Sequence, residues 1–535
     1  KFALRRAAKR IPQGEFAVAS VYRLPLAARS VDLVTNIFSP LAAAEFALTA
    51  IHFPPDDQAL DLARRRLAFE ELFLFTIGLE RLRSRREVVH VPPCGGVDME
   101  LFYRALPFTL TDAQRRCVEE ALADMRSGTP MNRLCQGDVG SGKTMVAAAC
   151  VYFMVKNGRQ AALMAPTEIL AQQHYQGLAP LLENLGIRCA LLTGSTTAKT
   201  KRSITQQLES GEIDFAIGTH ALITGSVAYR DLGLVVTDEQ HRFGVAQRAE
   251  LAAKGDHPHI LVMSATPIPR TLALILYGDL DVSIIDQLPP GRQPVQTFAV
   301  TGGYHQRVYR FIRKLVGEGR QAYIVCPMVE ENDQLPDERK AVTEYAKKLQ
   351  SEVFPDLKVA FVHGKMKPKE KDAVMAAFAA HETDILVSTT VIEVGVDVPN
   401  AAVMVIENAE RFGLSQLHQL RGRVGRGKHQ SYCILISDNR NEETRQRLKV
   451  MTKTTDGFQI AEEDLRLRGP GDFFGARQHG LPGLKVADLG CDTQLLQEAR
   501  QAAEQLLAQD PALTSCPATA ERVTELFTQQ ADALN

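Results

Sequence analysis

Three features that would place a protein in a simple class are absent from this chain of 535 residues. No apolar run approaches the roughly 20 residues that a membrane-spanning helix needs, so we expect no membrane partner. The nine cysteines form no C-x-x-C pair, which argues against a zinc site and favours reduced thiols in a cytoplasmic protein. The net charge is −1, so any basic surface for nucleic acid has to be local.

The beginning of the chain also lacks two things, a starting methionine and a long apolar segment. Residues Lys1 to Arg10 are basic and include no acidic residue. We interpret this as a chain that begins inside a longer protein. A transit peptide is the alternative, and the missing apolar segment argues against secretion. At this length about two to four domains are expected.

The most informative stretch is Gly137–Thr144, which fits the phosphate-loop pattern G-x-x-x-x-G-K-[ST] in full. It follows a short apolar run and opens a helix-like run, which is the context this pattern needs. Its glycines let backbone N–H groups surround a phosphate at a helix N-terminus; a glycine-rich turn without a ligand is the alternative. Lys143 is expected to reach the β- and γ-phosphates of ATP, and Thr144 to hold Mg²⁺. The predicted nucleotide-binding residues of this loop are Gly137, Gly140, Ser141, Gly142, Lys143 and Thr144.

Short apolar runs alternate with helical stretches twice along the chain, which predicts two parallel sheets, each covered on both faces by helices. In the first lobe the predicted strands are Arg133–Gln136, Ala161–Ala165, Cys189–Thr193, Phe215–Thr219, Leu232–Thr237 and Ile260–Ser264. In the second lobe they are Ala322–Cys326, Val359–Val362, Ile385–Ser388, Ala402–Ile406 and Tyr432–Ile436. Only the first lobe carries a phosphate loop, so we expect a single nucleotide between the lobes.

Breaks rich in proline and glycine divide the chain further, and we predict four segments. Residues 1–106 are expected to be mostly helical, with one long helix at Leu60–Arg86 and a strand candidate at Val18–Leu24. Residues 107–290 form the first lobe and 291–440 the second. Residues 441–535 are charged and helical, with a glycine-rich interruption.

Two carboxylates, Asp238 and Glu239, directly follow the buried strand candidate at Leu232–Thr237. Ligands of open α/β sheets bind at the carboxyl ends of strands, and Mg²⁺ takes few protein ligands. We therefore expect Asp238 to hold the metal through water, and Glu239 to orient or deprotonate an attacking water. The alternative is a charged strand end that caps a helix.

Arginine is concentrated between Gln416 and Gly427 in the second lobe, on a predicted loop and helix. Arg423 and Arg426 are three residues apart, so on a helix they would share one face. Their planar guanidinium groups suit phosphate oxygens, and across the cleft they would stabilise charge on a transferring phosphoryl group. A solvated basic face, or a patch for a phosphate backbone, is the alternative.

Together these stretches resemble the motifs of superfamily 2 helicases. Gly137–Thr144 resembles motif I, and Asp238–His241 resembles motif II. Ser264–Thr266 resembles motif III, and Gln419–Arg426 resembles motif VI. Ala165–Glu168 resembles motif Ia, and Gly218–His220 resembles a further DNA-contact motif. Ser388–Pro399 resembles motif V, and Phe108–Gln114 resembles the adenine-reading Q motif. The resemblance implies two RecA-like lobes and makes Phe108 and Gln114 cofactor contacts. It assigns DNA contact or coupling to Thr167, Thr219 and Thr266.

Longer stretches narrow this to a resemblance to the RecG family of bacterial DNA translocases, covering roughly residue 40 to the C-terminus. They are Asp238–Gly244, Ala265–Thr271 and Arg468–Gln478. The last resembles a translocation motif shared with the transcription-repair coupling factor. By this resemblance Arg447, Arg468 and Gln478 occupy its key positions.

The resemblance implies an ATP-dependent double-stranded DNA translocase that remodels stalled replication forks and recombination junctions. It implies ATP and Mg²⁺ as cofactors and duplexes, forks and Holliday-type junctions as partners, with single-strand binding protein as a further partner. A cytoplasmic monomer is expected. In one respect the chain departs from the family, because RecG proteins carry a long N-terminal region with an OB-fold wedge. This sequence has room only for the tail of that region, so we expect weak discrimination of forks from plain duplex.

Three other interpretations stay open on the sequence. The transcription-repair coupling factor has the same motor, but nothing here resembles its polymerase-binding module. An RNA helicase of the same superfamily would respond to RNA rather than to DNA. A nucleotide-gated binding protein would switch without repeated hydrolysis, and the combination of Glu239, Arg423 and Arg426 argues against it.

Overall fold

The structure is a computed structural model that describes most of the chain. The described residues are 40–84, 89–238, 245–265, 280–289, 293–327, 338–364, 366–389, 398–427, 429–468, 484–488 and 492–528. They divide into two compact units. The larger lies within 88–269 and 280–464 and holds both sheets, whereas the smaller combines helices from the two ends of the described chain.

The first lobe is built on a seven-stranded sheet of order β3-β4-β2-β5-β6-β1-β7, in which every paired strand is parallel. Its strands are β1 (Asn132–Gly137), β2 (Gln160–Met164), β3 (Cys189–Leu192), β4 (Phe215–Gly218), β5 (Leu232–Thr237), β6 (His259–Ser264) and β7 (Asp281–Ile285). Because all strands run the same way, the loops that follow β1 and β5 lie at one edge of the sheet.

The second lobe is built on a six-stranded parallel sheet of order β10-β11-β9-β12-β13-β8. Its strands are β8 (Gln296–Val300), β9 (Gln321–Val325), β10 (Val359–Val362), β11 (Ile385–Ser388), β12 (Ala401–Ile406) and β13 (Tyr432–Ile436). Two parallel-sheet α/β lobes are the fold class that the sequence predicts, and that prediction is confirmed.

Helices connect these strands and cover both faces of each sheet. The described helices of the larger unit begin with α3 (Glu100–Ala105), α4 (Asp112–Arg126), α5 (Lys143–Lys156), α6 (Glu168–Asn184), α7 (Ala198–Ser210) and α8 (Val245–Ala252). They continue with α9 (His305–Gly317), α10 (Glu338–Lys348), α11 (Pro368–Ala379), α12 (Leu414–Arg421), α13 (Glu442–Lys453) and α14 (Gly457–Arg468), whose last four residues belong to the smaller unit.

Neighbouring residues of the central strands fill two different cores. Leu163 and Val236 pack with α5 on one face of the first sheet. Ala162 and Val235, one position earlier in each strand, pack with α7 on the other face. Successive side chains of a strand point to opposite faces, so a strand covered on both sides is apolar at every position. This is why the buried strands could be recognised in the sequence.

All the strands predicted in the two lobes are present, with ends within one residue of those expected. The prediction missed β7 and β8, which are the outermost strands of their sheets beside β1 and β13. Both are partly exposed and contain polar residues, so neither forms a continuous apolar run. The predicted strand at Val18–Leu24 lies outside the described residues.

The smaller unit is a helical assembly of α1 (Pro40–His52), α2 (Asp57–Ser84), α15 (Thr493–Gln509) and α16 (Pro517–Thr528). Leu74 and Ile77 of α2 pack against Leu506 of α15 and Val523 of α16 in a buried cluster. Ion pairs reinforce the contact, joining Arg64 to Asp492, Arg65 to Glu498 and Glu70 to Arg522. The long helix predicted at Leu60–Arg86 corresponds to α2.

Within the described ranges no helix is both long enough and apolar enough to cross a membrane. The described cysteines are all free thiols, and most of them are buried.

Candidate nucleotide-binding site

The phosphate loop, Gly137–Thr144, joins the end of β1 to the start of α5. Gly140 and Gly142 have φ angles of 77° and 86°, in the left-handed region where glycine is favoured. The N-terminus of α5 lacks a capping side chain from the described part of the chain, and the helix dipole favours negative charge there.

Several observations show that the loop suits a phosphate. Lys143 is 8% exposed, and its Nζ donates to the carbonyls of Gly137 at 2.8 Å and Asp138 at 2.9 Å. The buried hydroxyl of Ser141 has no hydrogen-bond partner among the described residues. A Cβ at Gly137 would lie 2.5 Å from that hydroxyl, so only glycine leaves room for it. A buried cation and a buried, unpartnered hydroxyl in one loop fit the chemistry of a phosphate group.

The two residues predicted to contact adenine differ in environment. Gln114 is 2% exposed, and its oxygen accepts from the Thr111 N–H while its amide donates to the Ser141 carbonyl. Its side chain therefore joins the start of α4 to the phosphate loop. Phe108 is 50% exposed, which leaves its ring open to an adenine base. The contact of Gln114 and Phe108 with adenine stays a prediction.

Asp238 follows β5 at the same edge of the sheet as the phosphate loop, with β6 between their strands. Two strand spacings separate them, or roughly 10 Å. Its carboxylate accepts a hydrogen bond from His174 Nε2 on α6, at 2.8 Å. The Asp238 carboxylate and the Thr144 hydroxyl are hard oxygen donors of the kind Mg²⁺ takes. Within the described residues no group of three His, Cys, Asp or Glu side chains could hold a metal alone.

The arginine segment of the second lobe, Gly422–Gly427, follows the end of α12 at Arg421. Arg423 and Arg426 therefore lie in a turn with a left-handed Gly425, and the expectation that they share a helix face is wrong. Arg423 is 4% exposed, and Arg426 Nε donates to the Gly422 carbonyl at 3.2 Å. Helix α12 ends at Arg421, before both arginines, and sequence spacing alone did not reveal this end.

This segment begins directly against the phosphate loop. A Cβ added at Gly422 would lie 2.8 Å from Val139 Cβ, so the two backbones approach as closely as glycine allows. One turn earlier, His418 Nε2 lies 2.5 Å from Asp138 Oδ1. Burial by itself raises the pKa of Asp138, but hydrogen bonds from His418 and Val139 and the Lys143 charge outweigh it, so the pKa lies below its ordinary value. Asp138 is therefore ionised at neutral pH.

Helices α13 and α14, here called the α13–α14 pair, also contact this part of the second lobe. Arg447 on α13 donates to the carbonyls of Glu410 and Phe412, just before α12. Asp464 on α14 accepts from the Ser415 hydroxyl at 3.1 Å, in the first turn of α12. A carboxylate at a helix N-terminus is favoured by the helix dipole. These contacts place Arg447 beside the segment that carries the arginines.

The structure describes some of the remaining predicted residues but not others. Thr167 caps α6, since its hydroxyl accepts from the Leu170 N–H. Thr219 is buried, and its hydroxyl has no hydrogen-bond partner within the described chain. Arg468 is the last residue of α14, but its side chain is not described. Glu239, Thr266 and Gln478 lie outside the described residues, as does most of the predicted motif V.

Sequence reasoning missed three side chains of this site: His174, His418 and Arg421. His174 lies in the middle of α6, where a histidine carries no signal of its own. His418 and Arg421 belong to the arginine-rich stretch but had no assigned role. Their partners are remote in sequence, and only the fold brings them together.

Two parallel-sheet lobes, with a phosphate loop in the first and an arginine segment against it, are the architecture of superfamily 2 helicases. The DEAD/DEAH box helicase family matches residues 111–275, and the helicase conserved C-terminal domain matches residues 305–428. A third match, the C-terminal part of domain 3 of ATP-dependent DNA helicase RecG, covers residues 454–526.

Individual relatives identify the family within that class. The chain is 52% identical to ATP-dependent DNA helicase RecG of Synechocystis sp. over 476 residues, which is 88% of this chain and 57% of the relative. It is 50% identical to the Bacillus subtilis protein of that name over 468 residues, or 87% of this chain and 68% of the relative. A solved structure of RecG bound to a three-way DNA junction matches with a TM-score of 0.69 and 46% identity, over 89% of this chain and 62% of that one.

The chain belongs to the RecG family, as the sequence motifs predicted. It spans between 57% and 68% of the length of these two curated relatives.

Proposed function

We propose that this chain is the motor of an ATP-dependent double-stranded DNA translocase that remodels stalled replication forks and recombination junctions. The observation that carries the proposal is the contact of the second lobe with the phosphate loop. His418 lies against Asp138, and Gly422 against Val139. Arg423 is the next residue, so the arginine segment begins at the loop that is built for phosphate.

Each residue of the site has a proposed role in hydrolysis. Lys143 moves its ammonium group from the loop carbonyls to the β- and γ-phosphates of ATP. Glu239 orients the attacking water, and Arg423 and Arg426 stabilise the charge of the transferring phosphoryl group. Mg²⁺, when bound with ATP, neutralises phosphate charge, and Thr144 and Asp238 are its proposed oxygen donors.

The DNA side of the function rests on family membership and on the α13–α14 pair. The relative of known structure is bound to a three-way DNA junction. We propose duplexes, forks and Holliday-type junctions as partners here. Thr167, Thr219 and Thr266 contact DNA or respond to it. Arg447, Arg468 and Gln478 couple hydrolysis to movement, supported by the Arg447 contacts beside α12.

Four finer points belong to the same proposal. The protein works as a monomer in the cytoplasm, with single-strand binding protein as a further partner. Residues 1–106 and 441–535 flank the first lobe, 107–290, and the second lobe, 291–440. The packing of helices from 40–84 with those from 492–528 in one compact unit supports a shared role for the two flanking regions.

The test is steady-state release of phosphate from ATP with no nucleic acid, single-stranded DNA, duplex DNA, a three-way junction or RNA. All arms share one salt concentration, because salt shifts phosphate-backbone binding strongly. We expect DNA containing duplex to stimulate hydrolysis, with Lys143→Ala as the inactive control. Stimulation by RNA alone would favour an RNA helicase. No stimulation by any nucleic acid would favour a nucleotide-gated binding protein and contradict the proposal.

A further inference from the structure

We propose that His174 is a positioning residue for the metal site. It fixes the carboxylate of Asp238 in the orientation that holds Mg²⁺ beside the nucleotide. The inference rests on the proposed function, which makes Asp238 an oxygen donor for the metal. It adds to that site a residue of α6 that lies outside the motifs recognised in the sequence, and that acts through Asp238 alone.

The position of His174 on α6 is one of a row that is otherwise leucine. Leu170 and Leu178, four residues before and after it, are buried, and Leu182 continues the row. These leucines belong to the core between α6 and the first sheet. Residues four apart share one face of a helix, so His174 is on the face that packs inward. A polar group on such a face needs a hydrogen-bond partner, and that of His174 is Asp238.

The direction of this hydrogen bond follows from the chemistry of the two groups. An ionised carboxylate can only accept, so His174 Nε2 carries the proton that Asp238 Oδ2 accepts across 2.8 Å. The two side chains are only 11% and 15% exposed, so water competes weakly for either of them. The imidazole therefore offers the carboxylate a donor at a fixed place.

The main chain of Asp238 is held by the strand that leads into the same helix. Its N–H donates to the Met164 carbonyl at 3.0 Å, which extends the pairing of β5 with β2 by one residue. Met164 ends β2, and α6 begins at Glu168. One strand and the helix that follows it thus bind Asp238 at both its N–H and its Oδ2. The first contact fixes the main chain, and the second restricts rotation of the side chain.

A fixed carboxylate is important for an ion with strict geometry. Mg²⁺ requires nearly ideal octahedral coordination and keeps several of its waters. Asp238 is expected to hold the ion through such water, so its carboxylate has to match positions that the ion itself dictates. Loss of a side chain that orients a metal ligand typically lowers metal affinity about 10- to 100-fold. We expect an effect at the lower end of this range for His174.

The experiment measures a magnesium factor, the ratio of the dissociation constant of AMP-PNP in EDTA to that in saturating Mg²⁺. Titration calorimetry gives both constants. Binding of Mg²⁺ to free AMP-PNP is the same for every variant, so it cancels when each variant is compared with the parent. We expect His174→Leu to lower the factor about tenfold, with the affinity in EDTA unchanged. Leucine suits this position, because it completes the row on α6.

A second measurement follows the metal directly. Mn²⁺ prefers the same oxygen ligands as Mg²⁺, and the paramagnetic resonance signal of the free ion gives its dissociation constant from the complex of protein and AMP-PNP. We expect that constant to rise about tenfold in His174→Leu. It should stay near the parent value in His174→Gln, because the glutamine amide can donate to Asp238 and leucine cannot.

Matched variants separate this role from a general effect on the lobe. Gln176→Leu places the same new side chain at an exposed position of α6 and should keep the parent factor. His174→Phe replaces His174→Leu if the latter does not fold, since it keeps a ring without a donor. Adding His174→Leu to Asp238→Asn should lower the factor no further than Asp238→Asn does alone. Thermal unfolding identifies the variants that fold.

Four results would overturn the proposal: a parent factor of one, an unchanged factor in folded His174→Leu, equal loss in the leucine and glutamine variants, or a further loss in the double variant. Affinity lost equally in EDTA and in Mg²⁺ leaves the factor unchanged, and would mean that His174 only supports the fold. Failure of the proposed function looks different, because the parent would then show no DNA-stimulated hydrolysis of ATP, whatever its magnesium factor.

Discussion

The Gln114 side chain donates to the Ser141 main-chain carbonyl across 2.7 Å and accepts from the Thr111 N–H at 2.9 Å. One buried amide thus joins the start of α4 to the phosphate loop. The expected adenine contact and the phosphate site therefore share a side chain. We therefore expect adenine bound on one side of Gln114 to change the binding of phosphate on the other side.

Gln114→Glu separates the two bonds of this side chain. The carboxylate still accepts from Thr111 but faces the Ser141 carbonyl without a proton to donate. Gln114→Ala removes both bonds. Loss of a buried hydrogen-bond partner costs about 1–3 kcal/mol, so we expect nucleotide affinity to fall about five- to hundredfold in both variants. Isothermal titration with AMP-PNP measures this, and parent-like affinity in Gln114→Glu would show that the Ser141 bond does not support the loop.

Lys143→Ala should abolish hydrolysis of ATP and leave the fold intact. The variant loses the point charge expected at the β- and γ-phosphates, and alanine is a good helix former at the start of α5. Lys156→Ala is the matched control, because it removes a lysine from the last turn of the same helix. Phosphate release and thermal unfolding are measured on both. Normal turnover in a folded Lys143→Ala protein would remove the basis for the nucleotide site.

Arg426→Ala should slow hydrolysis by about 10³-fold or more, with a small change in nucleotide affinity. The reason is that an arginine finger acts on the charge of the transition state rather than on bound ATP. Arg440→Ala, an exposed arginine just after β13, is the control. Single-turnover rates and AMP-PNP affinity separate the two effects. If nucleotide affinity falls but the single-turnover rate of hydrolysis of bound ATP does not, Arg426 acts in ground-state nucleotide binding or in DNA binding.

The sequence predicted the central strands and the phosphate loop for physical reasons. A strand such as β5, buried on both faces, is apolar at each position, and a loop around phosphate needs glycine at fixed places. The sequence did not predict the edge strand β8, because a strand at the edge of a sheet is partly exposed and need not be apolar at each position. The Asp138–His418 bond could not be predicted either, because it joins residues 280 positions apart through the packing of two lobes. Local sequence specifies elements, whereas such contacts depend on how the elements are placed.

Arg447→Ala should reduce strand displacement more than it reduces hydrolysis. Arg447 donates to the carbonyls of Glu410 and Phe412, so its loss frees α13 from the segment before α12 without touching the phosphate loop. Arg445→Ala removes an exposed arginine from the same helix and serves as the control. Displacement of a labelled strand per ATP hydrolysed is the measured quantity. Equal loss of both activities would indicate that Arg447 supports the fold rather than coupling.

Gly422→Ala should weaken the contact between the second lobe and the phosphate loop. The new Cβ would lie 2.8 Å from Val139 Cβ, too close to remain, so the lobe or the loop must shift. A displacement of about 1 Å at a reacting centre can cost about 10²-fold in rate, and we expect a loss of that order in DNA-stimulated hydrolysis. Gly317→Ala is the control, because its Cβ would meet nothing within 4 Å at the end of α9. Val139→Gly removes the atoms in the way, so combining it with Gly422→Ala should recover more activity than Gly422→Ala alone shows. If the double variant is no better than the product of the two single losses, the close approach of these backbones is not what Gly422 provides.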